Sequence, residues 1–285
     1  MSITKECMIV DLSIGRWYGF ARDAELGRSV ALTHHADEDA TNVNKRLMPS
    51  KVLRDVNSSL TTIRKHFHKN TLPWHDTGGR LLTRKLFATF IEEHEALVTK
   101  AEAAIEKFIT VDYPVERDRA EFRMGEVFNP DDYPAQSELR GMYRVRLDFE
   151  PVGDAGDFRV DMDKKYVDHV RQSIERKVND RIHGAMREVW DRLSKTLTHF
   201  HARMADEDSK FKRATIDNLR EIVEVLPALN VLDDPDLESI RIDIMHHLAD
   251  LDPVELRDDE DLRREVSGEA KRIMDTMDGF MAAFG

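Results

Sequence analysis

Residues 163–204 read DKKYVDHVRQSIERKVNDRIHGAMREVWDRLSKTLTHFHARM, and this stretch decides the fold class. It contains no proline and one glycine, Gly184. Apolar residues recur along it with a mean spacing of about 3.7, which is the period of a helix. Such a helix is about 60 Å long, which indicates a role in architecture or assembly. The apolar stripe consists of Val167, Val170, Ile174, Val178, Ile182, Met186, Val189, Leu193, Leu197, Phe200 and Met204.

The flanking sequence adds strands and further helices. Residues 143–150 alternate strictly between apolar and charged side chains, which predicts a strand, and residues 7–18 predict another. Residues 158–162 can return as a further strand after the glycine turn at 153–156. Helices are expected near 20–32 and 50–68, and from about 84 to 109, with Thr83 as its cap. After a polar segment, helices are expected at 210–226, ending before Pro227, and near 235–249 and 259–283.

These elements predict a predominantly helical α+β protein. Two long helices, at about 84–109 and 163–204, pack with a small antiparallel β element built from residues 7–18 and 143–162. Residues 1–206 are expected to form a helical and β core, and residues 207–285 an acidic helical C-terminal region.

Charge is distributed unevenly along the chain. The net charge is −12, yet residues 45–85 contain ten basic and two acidic side chains, whereas residues 206–285 contain 22 acidic and ten basic ones. Three interpretations remain open: a polyanion site with an acidic docking region, head-to-tail assembly, or two differently solvated faces. Residues 45–85 are called the basic segment below.

Bulk features exclude several classes of protein. The chain contains no apolar run long enough to span a membrane and no signal peptide at its start. Cys7 is the only cysteine, which excludes an intramolecular disulfide and fits a reducing cytoplasm. Nucleotide-binding glycine loops and the serine-hydrolase elbow are absent. The sequence therefore predicts a protein that is not an enzyme and has no catalytic residues and no cofactor.

Several pairs of histidines in the sequence are candidate metal ligands. Adjacent or i,i+2 histidines such as His246 and His247 point to different faces of a helix, so they do not form a helical metal pair. The loop residues His34 and His35, near Asp37, could bind a metal, but solvated surface is the favoured interpretation. No metal site is predicted.

The loop around Trp74 is the most suggestive local site. Gly78 and Gly79 let the backbone approach a ligand closely, basic residues follow at a helix N-terminus, where an anion is favoured, and Trp74 offers a stacking face. The competing interpretation is that Trp74 fills the core beneath a tight turn. The predicted nucleic-acid-binding residues are Arg64, Lys65, Lys69, Trp74, Arg80, Arg84 and Lys85. Trp17 and Tyr18, beside Arg16, are weaker stacking candidates.

The long helix predicts self-assembly, because its stripe is too long for one short partner to cover. The expected interface residues on it are Val178, Ile182, Met186, Trp190, Leu193 and Leu197.

Several motifs, in this order, resemble an uncharacterised family of tailed-bacteriophage proteins. They are Leu72-Pro-Trp74-x-Asp76-x-Gly-x-Arg80-Leu-Leu, Phe128-Asn-Pro-x-Asp132-Tyr-Pro134, Asp157-Phe-Arg-Val160 and Leu226-Pro-Ala-Leu-Asn230, together with the 143–151 strand and the long helix with Trp190. The resemblance implies a phage protein of nucleic-acid metabolism in the cytoplasm of the bacterial host. It transfers no catalytic residue, and its loose link to cobalt-chelatase-like AAA+ ATPases suggests an adaptor role.

Two hypotheses of function follow. The first is a self-assembling, non-enzymatic protein that binds single-stranded DNA in replication or recombination. The second is an oligomeric structural or adaptor protein, with an AAA+ ATPase or another protein docking on the acidic C-terminal region.

Overall fold

The computed structural model describes residues 3–75, 78–153, 164–206 and 213–283. The fold is α+β and predominantly helical, with small antiparallel β structure, as the sequence predicts. The helices are α1 (Ile3–Glu6), α2 (Ala24–Thr33), α3 (Arg54–Asn70), α4 (Arg84–Lys107), α5 (Tyr113–Asp118), α6 (Ala120–Met124), α7 (Gln136–Met142), α8 (Lys164–Ala205), α9 (Ala214–Leu229), α10 (Pro235–Ile244), α11 (Pro253–Asp258) and α12 (Glu260–Ala283).

The strands form two sheets. They are β1 (Cys7–Gly15), β2 (Phe20–Asp23), β3 (Val43–Arg46), β4 (Leu72–Pro73), β5 (Arg80–Thr83) and β6 (Arg144–Pro151). One sheet has the strand order β4-β5-β1-β6, and β2 pairs with β3 in the other. The predicted strands at 7–18 and 143–150 are therefore confirmed as neighbours. The strand expected at 158–162 lies outside the described residues.

The chain divides into two compact units. Unit 1 contains Met1–Asp11, Asn70–Phe90 and Phe149–Gly285, and unit 2 contains Leu12–Lys69 and Ile91–Asp148. The chain thus passes between the units four times, within β1, at the end of α3, within α4 and within β6. This division differs from a boundary at residue 206, because the C-terminal helices belong to the same unit as α8.

The core of unit 2 is formed by α3, the second half of α4 and the segments around them. The apolar side of α3, with Val56, Leu60 and Ile63, shares one buried cluster with Ile105 and Phe108. A π-helical turn, Phe108–Asp112, continues α4 to α5. The apolar residues whose 3.6-residue spacing predicts these helices are therefore the residues that pack together in this core.

The core of unit 1 is built around α8. Its side chains from Ala185 to Met204 on the apolar stripe are buried together with apolar residues of α9, α10 and α12. The indole Nε1 of Trp190 donates to Asp234 Oδ2 at 3.2 Å, and Asp234 in turn caps the start of α10. The C-terminal helices thus cover the second half of the long helix.

This covering corrects the argument for an oligomer interface on α8. Met186, Trp190, Leu193 and Leu197 are fully buried within the chain, because its own C-terminal helices supply the partner that the stripe requires. Val178 and Ile182 are half-buried against the same cluster. Self-assembly stays a prediction, but those four residues no longer support it.

Two further boundaries differ from expectation. Helix α9 continues through Pro227 to Leu229, because Val225, Leu226 and Leu229 are buried on its inner face, and their packing outweighs the hydrogen bond that proline cannot donate. Residues 80–83 form β5, which pairs with β1 from Cys7↔Thr83 to Val10↔Arg80. Burial of Leu81 and Leu82 favours this strand.

None of the helices within the described ranges combines the length and the apolar character that a membrane crossing requires.

We expect Leu193→Ala to lower the free energy of unfolding by about 2–5 kcal/mol, because the substitution leaves a cavity in a fully buried site. Urea unfolding followed by circular dichroism measures the change. Tyr166→Ala, at an exposed position of the same helix, is the control and should stay within about 0.5 kcal/mol. Unchanged stability with a lower particle mass would instead make Leu193 an interface residue between chains.

Candidate functional site

The seven predicted nucleic-acid-binding residues are divided between the two units. Arg64, Lys65 and Lys69 lie on α3 in unit 2 and are exposed. The other four, Trp74, Arg80, Arg84 and Lys85, lie in unit 1. Each group is therefore a separate candidate surface.

Trp74 is a core residue. Its side chain is 5% exposed and belongs to the main cluster of unit 1. The guanidinium carbon of Arg181, on α8, lies 5.6 Å from the centre of its ring. The proposed stacking role for Trp74 is therefore corrected, because the ring is enclosed in the core of unit 1 and is not available to a base.

The glycine turn serves the β4–β5 hairpin. The carbonyl oxygen of Gly79 accepts hydrogen bonds from the backbone N–H groups of Trp74 and His75, at 3.0 and 2.9 Å. A Cβ atom at Gly79 would lie 2.7 Å from the His75 ring, and Gly78 has a φ of +132°. Packing of the turn explains both glycines, so a close approach by a ligand is not needed to account for them.

Arg80 holds the hairpin against α8. Its Nε and Nη2 donate to the hydroxyl and the carbonyl oxygen of Thr71, at 2.8 and 2.9 Å. Arg192 donates to the same carbonyl oxygen at 2.8 Å, and Glu188 lies within ion-pair distance of both guanidinium groups. Burial, and then the nearby Arg192, lowers the pKa of Arg80. The Arg80 side chain is only 12% exposed, so it is a structural cation.

Arg84 and Lys85 begin α4 and are exposed. Arg84 Nε lies 3.2 Å from Glu6 Oε2, and its side chain is 72% exposed. Lys85 Nζ donates to the carbonyl oxygen of Pro227 at 3.2 Å. Since Lys85 has three donor hydrogens, this bond leaves donors for a ligand.

The exposed side of α3 carries four of the eight exposed cations of the basic segment. Asp55 is the only acid in this helix, and Lys107 lies at 4.0 Å from it. Exposed hydroxyl side chains lie among the cations, which gives a surface of phosphate-binding character. We call it the basic face of α3, and it consists of Arg54, Arg64, Lys65 and Lys69, with Ser58, Thr61 and Thr62.

Two exposed aromatic rings lie in the same unit. Tyr18 is 62% exposed and Phe20 is 47% exposed. The guanidinium carbon of Arg16 lies 4.6 Å from the centre of the Tyr18 ring, and that of Arg46 lies 5.4 Å from the centre of the Phe20 ring. Phe20 and Arg46 are register partners of β2 and β3. Arginine–aromatic pairs of this kind suit nucleobases.

A hydrogen bond connects the Tyr18–Arg16 pair to α3. Arg16 Nη1 donates to Asn57 Oδ1 at 3.2 Å. Asn57, Thr61 and Arg64 are spaced i, i+4 and i+7, so they follow one side of the helix. The Tyr18–Arg16 pair therefore lies at one end of a line that leads along α3 to Arg64.

Local packing turns these rings outward. Trp17, the neighbour of Tyr18, is buried against Phe108 and Tyr113, with ring centres 6.3 and 5.7 Å away. Gly19 has a φ of +70°, and a Cβ atom there would lie 2.9 Å from Leu53 Cδ1. From the sequence, Tyr18 is a weaker stacking candidate than Trp74, and Phe20 is not a candidate. The sequence signal that could have identified this surface is the pair Tyr18 and Phe20, which flank Gly19 and lie close to arginines.

The cations of the basic segment do not all face solvent. The Lys45 side chain is only 9% exposed, and its Nζ lies 2.6 Å from Asp132 Oδ2 and 3.2 Å from Asp23 Oδ2. The hydrogen bond to Asp132 raises the pKa of Lys45, and burial opposes that effect. Lys45 therefore stabilises unit 2 and does not add to its external potential.

Within the described ranges, no three His, Cys, Asp or Glu side chains are grouped so that they could hold a metal ion. His34, His35 and Asp37 are exposed.

Comparison with known proteins found no family model, curated protein or solved structure that matches this chain. The resemblance to tailed-phage proteins thus stays a prediction, as does expression in a host cytoplasm.

We expect Arg80→Ala to lower the free energy of unfolding by about 1.5–3 kcal/mol, because it removes two charge-assisted hydrogen bonds to the buried Thr71. Chemical denaturation measures this loss. Arg84→Ala removes an exposed cation beside it and should cost less than about 1 kcal/mol. If Arg80→Ala kept full stability and abolished DNA binding, Arg80 would be a ligand-binding residue after all.

Proposed function

We propose that unit 2 binds single-stranded nucleic acid, with single-stranded DNA as the ligand to test first. One observation carries the proposal: an exposed aromatic ring, Tyr18, has the Arg16 guanidinium over it, and Arg16 is hydrogen-bonded through Asn57 to the helix that carries the basic face of α3. A second exposed ring with a guanidinium over it, Phe20 with Arg46, lies in the same unit. Bases would stack on Tyr18 and Phe20, and phosphates would follow the cations of the helix.

The chemistry favours a single strand over a duplex. Stacking on a protein ring requires a base that is not already stacked between two neighbours, and single strands supply such bases. The line from Asn57 to His68 covers 12 residues of α3, and its 11 helical steps give a length of about 17 Å. Such a length suits several consecutive phosphates, whose contacts are independent of base sequence.

The net charge of the whole chain affects how nucleic-acid binding is expected to depend on salt concentration. At −12 the protein repels a polyanion over long distances, so binding must come from short-range contacts on this face. We therefore expect affinity to fall steeply as salt concentration rises, since each neutralised phosphate of a single strand contributes about −0.7 to the logarithmic salt slope.

We expect Tyr18→Ala to weaken binding of a labelled single strand by about 5- to 150-fold, which corresponds to the loss of one base stack of about 1–3 kcal/mol. Arg64→Ala/Lys65→Ala should reduce the salt slope by about 1.4. Fluorescence anisotropy at several salt concentrations measures both effects, with single-stranded RNA and duplex DNA as competitors.

The matched controls are Phe122→Ala, which removes another exposed ring of unit 2, and Arg28→Ala/Lys100→Ala, which removes two exposed cations of the same unit. Both controls should keep the affinity and the salt slope. Absence of binding at low salt, or equal losses in test and control variants, would refute the proposal.

A second proposal concerns assembly through the first half of α8. The apolar stripe continues towards the helix N-terminus through Val167, Val170 and Ile174, which are of intermediate exposure. They lie beyond the part of the stripe that the C-terminal helices cover. This extension supports self-association there, and an adaptor function would use the same face or the acidic outer side of α9–α12.

We expect Val170→Asp/Ile174→Asp to lower the particle mass, because two carboxylates disfavour burial of this face between chains. Light scattering across a range of concentrations measures it. Glu175→Asp, at an exposed position of the same helix, should leave the mass unchanged. A wild-type protein that is monomeric throughout would refute this assembly.

A further inference from the structure

Strand β6 lies at one end of the four-stranded sheet. The strand order is β4-β5-β1-β6, so β1 is the one strand beside it within the described ranges. The strand is eight residues long, and five of these residues are exposed. Among the described residues, no backbone hydrogen bond joins β6 to a loop or a turn along this edge. The outer edge of β6 can therefore pair with another strand.

The side chains of β6 alternate in a pattern that is centred on Leu147. The apolar residues at positions 145, 147 and 149 share one face of the strand, and Val145 packs against the core of unit 2. On the other face, two arginines come before the centre and two acids come after it. These four charged residues are Arg144, Arg146, Asp148 and Glu150.

A second copy of β6 matches this pattern if the two strands are antiparallel and related by a twofold axis at Leu147. Arg146 then faces Asp148 of the second copy, and Arg144 faces Glu150. Leu147 faces its own copy on the apolar side. Because a twofold pair is self-complementary, every charged contact occurs twice. Opposite charges directly across an antiparallel pair stabilise it.

The same charges disfavour other ways of pairing two copies. If the axis moves by one residue, Arg146 or Asp148 faces its own copy, and like charges directly opposite are destabilising. An axis between two residues places charged side chains against apolar ones. A parallel pair in register brings each charge against its own copy. Charged residues on an edge usually keep other strands away, but the order of signs on β6 also selects one partner and one register.

The charged groups beside the axis are accessible to a partner. Arg146 and Asp148 pair within the strand at 2.8 Å, yet their side chains are 71% and 46% exposed. A guanidinium group has five donor hydrogens and a carboxylate has two acceptor oxygens, so both can also contact a second copy. Exposed ion pairs contribute little free energy. The charges therefore select the register, whereas backbone hydrogen bonds between the strands supply the affinity.

We propose that two copies of this chain associate through β6, with the antiparallel pairing centred on Leu147. The competing occupant of this edge is the segment 158–162 of the same chain, which the sequence predicts as a returning strand and which lies outside the described residues. The second copy is favoured because it matches all four charges of β6. This contact is separate from the association proposed for the first half of α8.

Charge reversal tests the pairing. Arg146→Asp and Asp148→Arg each place like charges opposite one another on both sides of the axis. Each variant alone should therefore associate at least about tenfold more weakly than the wild type. The double variant Arg146→Asp/Asp148→Arg restores opposite charges, so its dissociation constant should return to the wild-type value. Sedimentation velocity across a range of protein concentrations measures these constants.

Mixing the two single variants separates strand pairing from a change in the fold. The first variant has two acids at these positions and the second has two arginines, so opposite charges face one another only in the mixed pair. We expect the mixture to form dimers with about the wild-type affinity. Damage to the fold of either variant would not be repaired by mixing, and circular dichroism melting of each variant checks the fold directly.

The matched control is Arg28→Asp, which reverses an exposed charge on α2 of unit 2 and should leave association unchanged. Three results would each overturn the proposal: a wild-type chain that stays monomeric, single variants that associate as tightly as the wild type, or a mixture that stays apart. A monomeric wild type would leave the edge to residues 158–162 or to a strand of another protein.

The test does not depend on the association proposed for α8. In chains that also carry Val170→Asp/Ile174→Asp, mixing Arg146→Asp with Asp148→Arg should still give dimers. Failure of one contact would therefore be distinguishable from failure of the other.

Discussion

The organisation of unit 1 depends on the burial of the second half of the apolar stripe of α8, from Met186 to Met204, against other helices of the same unit. Each large apolar side chain removed from water there contributes about 1.5–3 kcal/mol, and the partners are the inner faces of α9, α10 and α12. Trp190 fixes the position of α10 on α8, because its indole N–H donates to the carboxylate of Asp234, which caps α10. The acidic C-terminal helices are consequently part of the core and present their charges on the opposite side.

The polar side of α8 supports the hairpin of β4 and β5. Glu188 and Arg192, one turn apart, reach Thr71 and Arg80 next to the stripe. Two arginines that are four positions apart, Arg80 and Arg84, therefore have different roles. Arg80 is enclosed and holds backbone in place, whereas Arg84 is exposed and pairs with Glu6. Exposure and neighbours, which follow from packing, distinguish a structural cation from one that can meet a ligand.

The surface of unit 2 that is proposed to bind nucleic acid is open, with rings and cations arranged along a helix, which suits a flexible polyanion that contributes many weak contacts. Ion pairs such as those of Lys45 and Arg80 withdraw cations from solvent, so the net charge of the basic segment overstates what a ligand meets.

The sequence by itself determined the fold class, the long helix and the two neighbouring strands, because helix and strand periods are local properties of the chain. It also showed a segment, residues 45–85, in which cations and an aromatic residue are concentrated. It could not separate Trp74 from Tyr18, since both are aromatic residues near arginines and glycines. Only the tertiary structure decided that Trp74 is enclosed by α8, that Tyr18 faces solvent, and that the stripe of α8 is covered by its own chain. Burial and pairing depend on residues distant in sequence, whereas periodicity does not.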